Sequence, residues 1–254
     1  MRTKLISSCW GFLAIILIVA GLLFFKASLP MSDNTQPQVF EVNSGMTLKQ
    51  VSQELLGQNL IRSANAFQAI ALIQDKEKLI KVGEYYISPS MPPAEILQRI
   101  TSGKTVLHSV TIPEGYRITE IASLLEERDL VDKNIFLQQA KNVGLLEGIP
   151  TDSLEGYLFP DTYHFGKRTT EAIIINKMVE TFKERALKQE FLKRAGDMGF
   201  SYHEIITLAS LIEKETGKDS ERKQISSVFH NRLKKNMLLQ TDPTVIYVID
   251  IFDG

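Results

Sequence analysis

Val42-Asn43-Ser44-Gly45-Met46-Thr47-Leu48 and Ile112-Pro113-Glu114-Gly115-Tyr116-Arg117-Ile118 align at a constant offset. The register continues without a gap through Val51/Ile121, Leu55/Leu125, Leu60/Leu130 and Ile61/Val131. Any fold for this chain must therefore hold the same small unit twice. Each copy reads as a strand, a glycine turn, an amphipathic helix with apolar residues at i, i+3 and i+7, a polar break and a second helix. Solenoids need about three or more repeats to bury a continuous core, so the two copies read as duplicated or related small modules.

Between the copies, Val82-Gly83-Glu84-Tyr85-Tyr86-Ile87 predicts a strand, and Pro92-Pro93-Ala94-Glu95-Ile96-Leu97 predicts a helix start with Ser90 or Pro92 near its cap. The first copy plus this strand gives a β-α-α-β order. That order, with its Gly-x-Thr-Leu turn, resembles the LysM fold, whose members bind the glycan of peptidoglycan or chitin. A spacer holding the next domain off a membrane is the other reading of the same residues.

Leu5 to Phe25 is an almost unbroken apolar run. At about 20 residues, such a run is long enough to cross a bilayer core as a helix. Arg2 and Lys4 precede it and only Lys26 follows closely, so the positive-inside bias places the N-terminus in the cytoplasm. A cleaved signal peptide would have a shorter apolar region and a small-residue cleavage site, which Phe25-Lys26-Ala27-Ser28 does not supply. An uncleaved single-pass anchor is expected. Cys9, the only cysteine, lies near the start of the apolar stretch instead of ending it, so it is no lipidation site. One cysteine also excludes an internal disulfide framework or a Cys-based zinc site. Residues 30–38, with Pro30, Ser32, Asp33, Asn34, Thr35 and Pro37, read as a turn-rich linker.

From Ser153 onward the pattern changes. Glu155-Gly156-Tyr157-Leu158-Phe159-Pro160-Asp161-Thr162-Tyr163 packs turn formers and aromatics into what reads as an ordered loop beside a cleft, or equally as a loop pinned to the core. Thr169 to Lys193 predicts one long amphipathic helix. The last residues, through Ile249-Asp250-Ile251-Phe252, follow an apolar strand-like run. The fold class expected is α+β.

Tyr202 to Thr216 predicts a helix ended by Gly217, and it carries Ala209-Ser210-Leu211-Ile212-Glu213-Lys214-Glu215-Thr216. At 100° per residue, His203, Thr207, Ser210 and Lys214 share a polar stripe. Glu213 lies near Ile206 and Ala209, and Glu215 near Leu208 and Leu211. Periodicity does not choose between them. Burial in such an apolar run raises a carboxyl pKa, as a general acid requires. The competing reading is a salt bridge to Lys214, Lys218 or Arg222.

The run from Ala209 to Thr216, with Ser227-Val228-Phe229-His230-Asn231-Arg232-Leu233, Leu239 to Tyr247 and the Glu155–Tyr163 block, closely resembles the endolytic murein transglycosylase family. The resemblance spans essentially the whole chain, anchor and LysM-like module included. It implies residues 1–29 as cytoplasmic tip and transmembrane anchor and 30–38 as linker. It further implies 39–107 as the LysM-like module and 108–254 as an α+β catalytic domain opening with the related second module.

In that family the catalytic acid falls on the first glutamate of Glu-Lys-Glu-Thr, here Glu213. The reaction cuts the β-1,4 bond after N-acetylmuramic acid without water and leaves a 1,6-anhydro sugar, so one carboxyl suffices. Asn231, Gln240 and Thr241 are candidates to hydrogen-bond the sugar, and Tyr157 or Tyr247 to stack on a ring. Arg232 reads as a surface pair, Asp242-Pro243 as a turn or helix start, and His164 and His230 as packing residues. Family members continue past the position of Gly254 with further cleft-building blocks, so this chain reads as truncated.

The implied partners are peptidoglycan strands, the cytoplasmic membrane, and cell-wall synthases with elongation or division proteins. The main domain would lie outside that membrane, in the periplasm of a diderm. A non-catalytic peptidoglycan-binding or scaffold protein is the alternative. A formal net charge of −1 gives no drive toward nucleic acid. The four histidines lack metal-ligand spacing, and no cofactor fingerprint is present. A pyridoxal-phosphate lyase is discounted because no lysine has a recognisable cofactor context and the substrate would be cytoplasmic.

Overall fold

The computed structural model describes residues 2–252, with the side chains of residues 15–247 and of Ile249. It opens with α1 (Arg2–Ala27), whose described apolar residues, among them Leu17, Leu22, Leu23 and Phe25, are exposed. Among the described residues no helix is long and apolar enough to cross a membrane. The expected span Leu5–Phe25 lies partly outside them, as does Cys9, because side chains are described only from residue 15. The linker is no loose tether. Arg62 donates from Nε to the Pro30 carbonyl at 2.7 Å and from Nη2 to the Met31 carbonyl at 3.0 Å. Ser32 N–H reaches the Pro89 carbonyl, and Ser90 N–H the Asn34 carbonyl.

The first copy of the repeat runs β1 (Gln38–Val42), α2 (Leu48–Gly57), α3 (Ala64–Ile73), β2 (Gly83–Ile87), α4 (Pro93–Ser102). Thr47 caps α2 through a reciprocal box with Gln50, and Ser63 caps α3 by accepting from Ala66 N–H. Proline begins α4 and Gly103, at φ 77°, follows its end, the usual asymmetry of helix termini. β1 and β2 pair antiparallel from Gln38↔Ile87 to Val42↔Gly83. Phe40, Val51, Leu55, Phe67, Tyr85, Ile87, Ile96 and Ile100 close the core. Each fully buried large apolar side chain of this kind contributes roughly 1.5–3 kcal/mol.

The second copy runs β3 (His108–Thr111), α5 (Ile118–Glu127), α6 (Lys133–Gln139). Its correspondence to the first reaches individual dihedrals. Gly115 has φ 76° where Gly45 has 80°, and Asp129 has 53° where Asn59 has 55°. This copy also has a partner strand, β4 (Thr162–Phe165), which pairs with β3 and is followed by α7 (Glu171–Arg185). The inserted segment between α6 and β4, with a short 3-10 turn at Val143–Leu145, hides that strand from the sequence repeat. Thr162 and Tyr163, expected in the loop, belong to β4.

The predicted long helix is broken. After α7 comes α8 (Gln189–Asp197), then α9 (Tyr202–Glu215), α10 (Asp219–Lys234) and α11 (Asp242–Phe252). No glycine or proline marks the break at residues 186–188. Tertiary contacts do: the Tyr202 hydroxyl donates to the Ala186 carbonyl at 2.6 Å, and Ala186 and Leu187 pack on the core. The strand-like run near the end is helical in α11, which Asp242 and Pro243 begin, the favoured first-turn place for proline.

Two compact units result, Met1–His108 with Gly166–Arg168, and Ser109–Phe165 with Thr169–Gly254. The short return segment joins the first unit through Lys167 to Glu84, 3.7 Å, and Arg168 to Glu41, 2.5 Å. The second unit centres on Val110, Ile121, Leu125, Phe136, Leu154, Tyr157, Ile174, Met178 and Phe182.

Candidate active site

The second unit assembles the site around α9. A capping box opens that helix: Glu204 N–H reaches Ser201 Oγ at 3.2 Å, and Ser201 N–H reaches Glu204 Oε2 at 2.7 Å. These bonds hold the Glu204 carboxyl below the ordinary carboxylate range. The helix ends as Thr216 turns extended.

Three consecutive residues of the Glu155–Tyr163 block fasten α9 to the repeat. The Tyr157 hydroxyl meets His203 Nδ1 at 2.7 Å, with the two rings stacked 6.1 Å apart and Phe182 edge-on to Tyr157. Gly156, at φ 81°, brings its backbone so close to Ile206 that an added Cβ would lie 3.4 Å from Cγ2. Glu155 turns the other way and accepts the Ile118 N–H, the first of α5, at 3.3 and 3.2 Å on its two oxygens. Burial pushes the Glu155 carboxyl up, while the Ile118 N–H and the Arg117 charge oppose the shift. Glu120 adds to the rise and Lys214 works against it.

Glu213 stands two turns along from Ile206 on the same stripe of α9. Its Cγ would lie 3.7 Å from a Cβ added at Gly115, in the turn leading to α5. The side chain is 29 % exposed and bonds Arg222 Nη2 at 2.9 Å. Arg222 also reaches Asp219 at 3.0 Å and Glu114 at 3.6 Å. The apolar burial expected of Glu213 is thus not what surrounds it. Leu208 is the one buried residue of α9, because the helix lies on the rim of the core with its second half open. Of the ion-pair partners considered from sequence, Arg222 is the one in contact.

The remaining candidates divide between two sides. Tyr247, on α11, carries the Arg117 guanidinium 5.4 Å over its ring. Burial and the nearby Glu155 charge push its hydroxyl up. It therefore joins the Glu155, Arg117 and Lys214 group. Thr241 is buried and its hydroxyl bonds Glu215, not Glu213. Glu215 and Gln240 line a groove of about 420 Å³ with Glu221, Gln224, Ile225, Val228, Phe229, Arg232 and Leu239. Glu213 is absent from that lining.

Asn231 is exposed on α10. Tyr157 has no exposed ring face, because the core and His203 enclose it, so the stacking expected of it gives way to a packing role. Arg232 donates to the Leu239 carbonyl, His230 packs edge-on to Phe200, and His164 is exposed. Sequence reasoning gave no role to Glu155, Glu114 or Arg117. The only signal for Glu155 was its place at the head of a dense motif. Among the described residues no group of three or more His, Cys, Asp or Glu is arranged to hold a metal ion.

This arrangement can present one carboxyl, oriented by a guanidinium, beside a polar wall of Glu155, Lys214, Arg117 and Tyr247. Comparison with known proteins gives it a context. An endolytic murein transglycosylase of Bacillus subtilis (strain 168) is 32% identical over 260 residues, spanning 91% of this chain and 69% of that protein. One of Streptococcus pneumoniae (strain ATCC BAA-255 / R6) is 32% identical over 249 residues, spanning 86% of this chain and 44% of its own. The crystal structure of a yceG-like protein, lmo1499, from Listeria monocytogenes superposes with a TM-score of 0.50 at 29% identity, covering 85% of this chain and 76% of that one. The YceG-like family profile matches residues 40–254, and the chain belongs to that family.

Proposed function

We propose that this chain is a membrane-anchored endolytic peptidoglycan transglycosylase with Glu213 as its acid and base. The observation that carries the reading is the placement of Glu213. It sits at the open end of α9, bonded to Arg222 at 2.9 Å and flanked by the Gly115 turn. The names of the relatives supply the substrate class.

In its protonated form Glu213 gives its proton to the glycosidic oxygen between N-acetylmuramic acid and N-acetylglucosamine. The C1–O bond breaks with its electron pair going to that oxygen, which leaves as the 4-hydroxyl of the next sugar. The C6 hydroxyl oxygen of the same muramic acid then bonds to the oxocarbenium-like C1 and returns its proton to Glu213. No water is consumed and a 1,6-anhydro end forms. Asn231 and Gln240 contact sugar hydroxyls and N-acetyl groups in this reading, Thr241 holds Glu215 from its buried position, and Tyr247 offers a ring for stacking. The first copy of the repeat acts as a LysM-like glycan-holding module. Leu5–Phe25 spans the cytoplasmic membrane once, N-terminus inside, and keeps the second unit near newly made glycan and its synthases.

The test incubates the whole chain, in detergent micelles, with purified peptidoglycan beside Glu213→Gln, and reads glycan ends by mass spectrometry. Anhydro ends from the parent and none from the variant are expected. A folded parent that retains glycan and makes no such ends sinks the reading in favour of a binding or scaffold protein.

A further inference from the structure

Two glycine turns lie beside one stripe of α9, and one side chain ties them together. Gly156 meets Ile206 and Gly115 meets Glu213, two helical turns apart. Glu155 precedes the first turn directly and grips, through Ile118 N–H, the residue that closes the second. We propose that Glu155 is a positioning residue: by accepting the Ile118 N–H it holds the Gly115 turn against Glu213 and so fixes where that carboxyl can stand.

The surroundings are consistent with a fixed clasp. Arg117, Glu120 and the Ile118 N–H face Glu155 from the start of α5, Lys214 from α9, and Tyr247 from α11. Asp152 approaches Tyr247 from the loop that carries Glu155. Burial alone would favour an apolar residue here, because a half-buried carboxyl costs free energy unless a donor meets it. The donor it meets is one of the helix N-terminal amides that lack partners within their own helix, so one bond serves both groups. The catalytic importance of that clasp rests on the role given above to Glu213; the clasp itself does not.

The test compares the parent with Glu155→Ala and Glu155→Gln, all as whole chains. Gln keeps a carbonyl oxygen to accept the Ile118 N–H, whereas Ala removes the acceptor. Hydrogen exchange should show Glu155→Ala losing protection at the Gly115–Ile118 turn and at the end of α9. Amides of α7 should stay as protected as in the parent, and Glu155→Gln should keep both regions. With peptidoglycan, Glu155→Ala should lower kcat by about 10- to 100-fold with KM little changed, the loss typical of a misplaced catalytic group, and Glu155→Gln should recover most of it. Unchanged exchange in Glu155→Ala overturns the proposal, as does a uniform loss that includes α7. Glu155→Gln as impaired as Glu155→Ala also overturns it, since charge and not acceptance would then matter. Should the parent make no anhydro ends, the proposed reaction falls while the exchange data still decide the clasp.

Discussion

Glu155 binds its proton more tightly in the folded chain than in the unfolded one, with burial as the first cause. The sign of the consequence follows from proton counting. Between the ordinary carboxylate value and the raised one, the folded state holds more protons than the unfolded state, so stability falls as pH rises through that window. The contribution is fully present below the ordinary value and lost above the folded one. Glu204 does the opposite: its lowered carboxyl supports folding at higher pH and loses that support on acidification. Thermal unfolding followed across mildly acidic pH should therefore show a shallower decline toward neutrality in Glu155→Gln than in the parent. Parallel curves would mean that Glu155 carries no folding-linked proton.

At the scale of elements, the repeat was legible because spacing and residue type agree in both copies. The turn glycines Gly45 and Gly115 hold φ 80° and 76°, which L side chains adopt only with strain. An added Cβ meets nothing within 4 Å at Gly45 and only ordinary contact, 3.7 Å from Glu213 Cγ, at Gly115. Gly45→Ala and Gly115→Ala should thus each cost about 1–2 kcal/mol, a backbone effect shared by both copies. Denaturant midpoints measure this, and a cost at Gly115 several times that at Gly45 would show that the contact with Glu213 dominates.

Other elements were less legible for identifiable reasons. β4 was missed because the insertion after α6 breaks the repeat register. The α7–α8 break was missed because Tyr202, sixteen residues downstream of Ala186, supplies its cause. α11 read as a strand because Val245, Ile246, Tyr247 and Ile249 have high strand propensity, which the Asp242-Pro243 start overrides. At the site, motif resemblance pointed to Glu213 where helical periodicity left Glu215 equal. The partition of the two onto different surroundings, Arg222 for one and Thr241 for the other, depends on helices that pack only in three dimensions.

For the whole molecule, the repeated unit goes with two cores instead of one enlarged core. Leu55 and Leu125 hold equivalent places in the two copies, and neither is exposed at all. Leu55 packs with Phe40, Phe67 and Ile96, and Leu125 with Ile121, Phe136 and Leu154. A leucine truncated to alanine in a packed core costs about 2–5 kcal/mol, the cost growing with the cavity left behind. A unit with its own core carries that cost itself. Leu55→Ala should therefore weaken hydrogen-exchange protection in α2, α3 and α4. Leu125→Ala should do so in α5, α6 and α7, the elements that frame Glu155 and lead to α9. Only the second substitution should then disturb the Glu213 end of α9. Equal loss throughout the chain from either one would show a single cooperative fold, and the proposed division of labour between a glycan-holding module and a cleaving one would lose its physical basis.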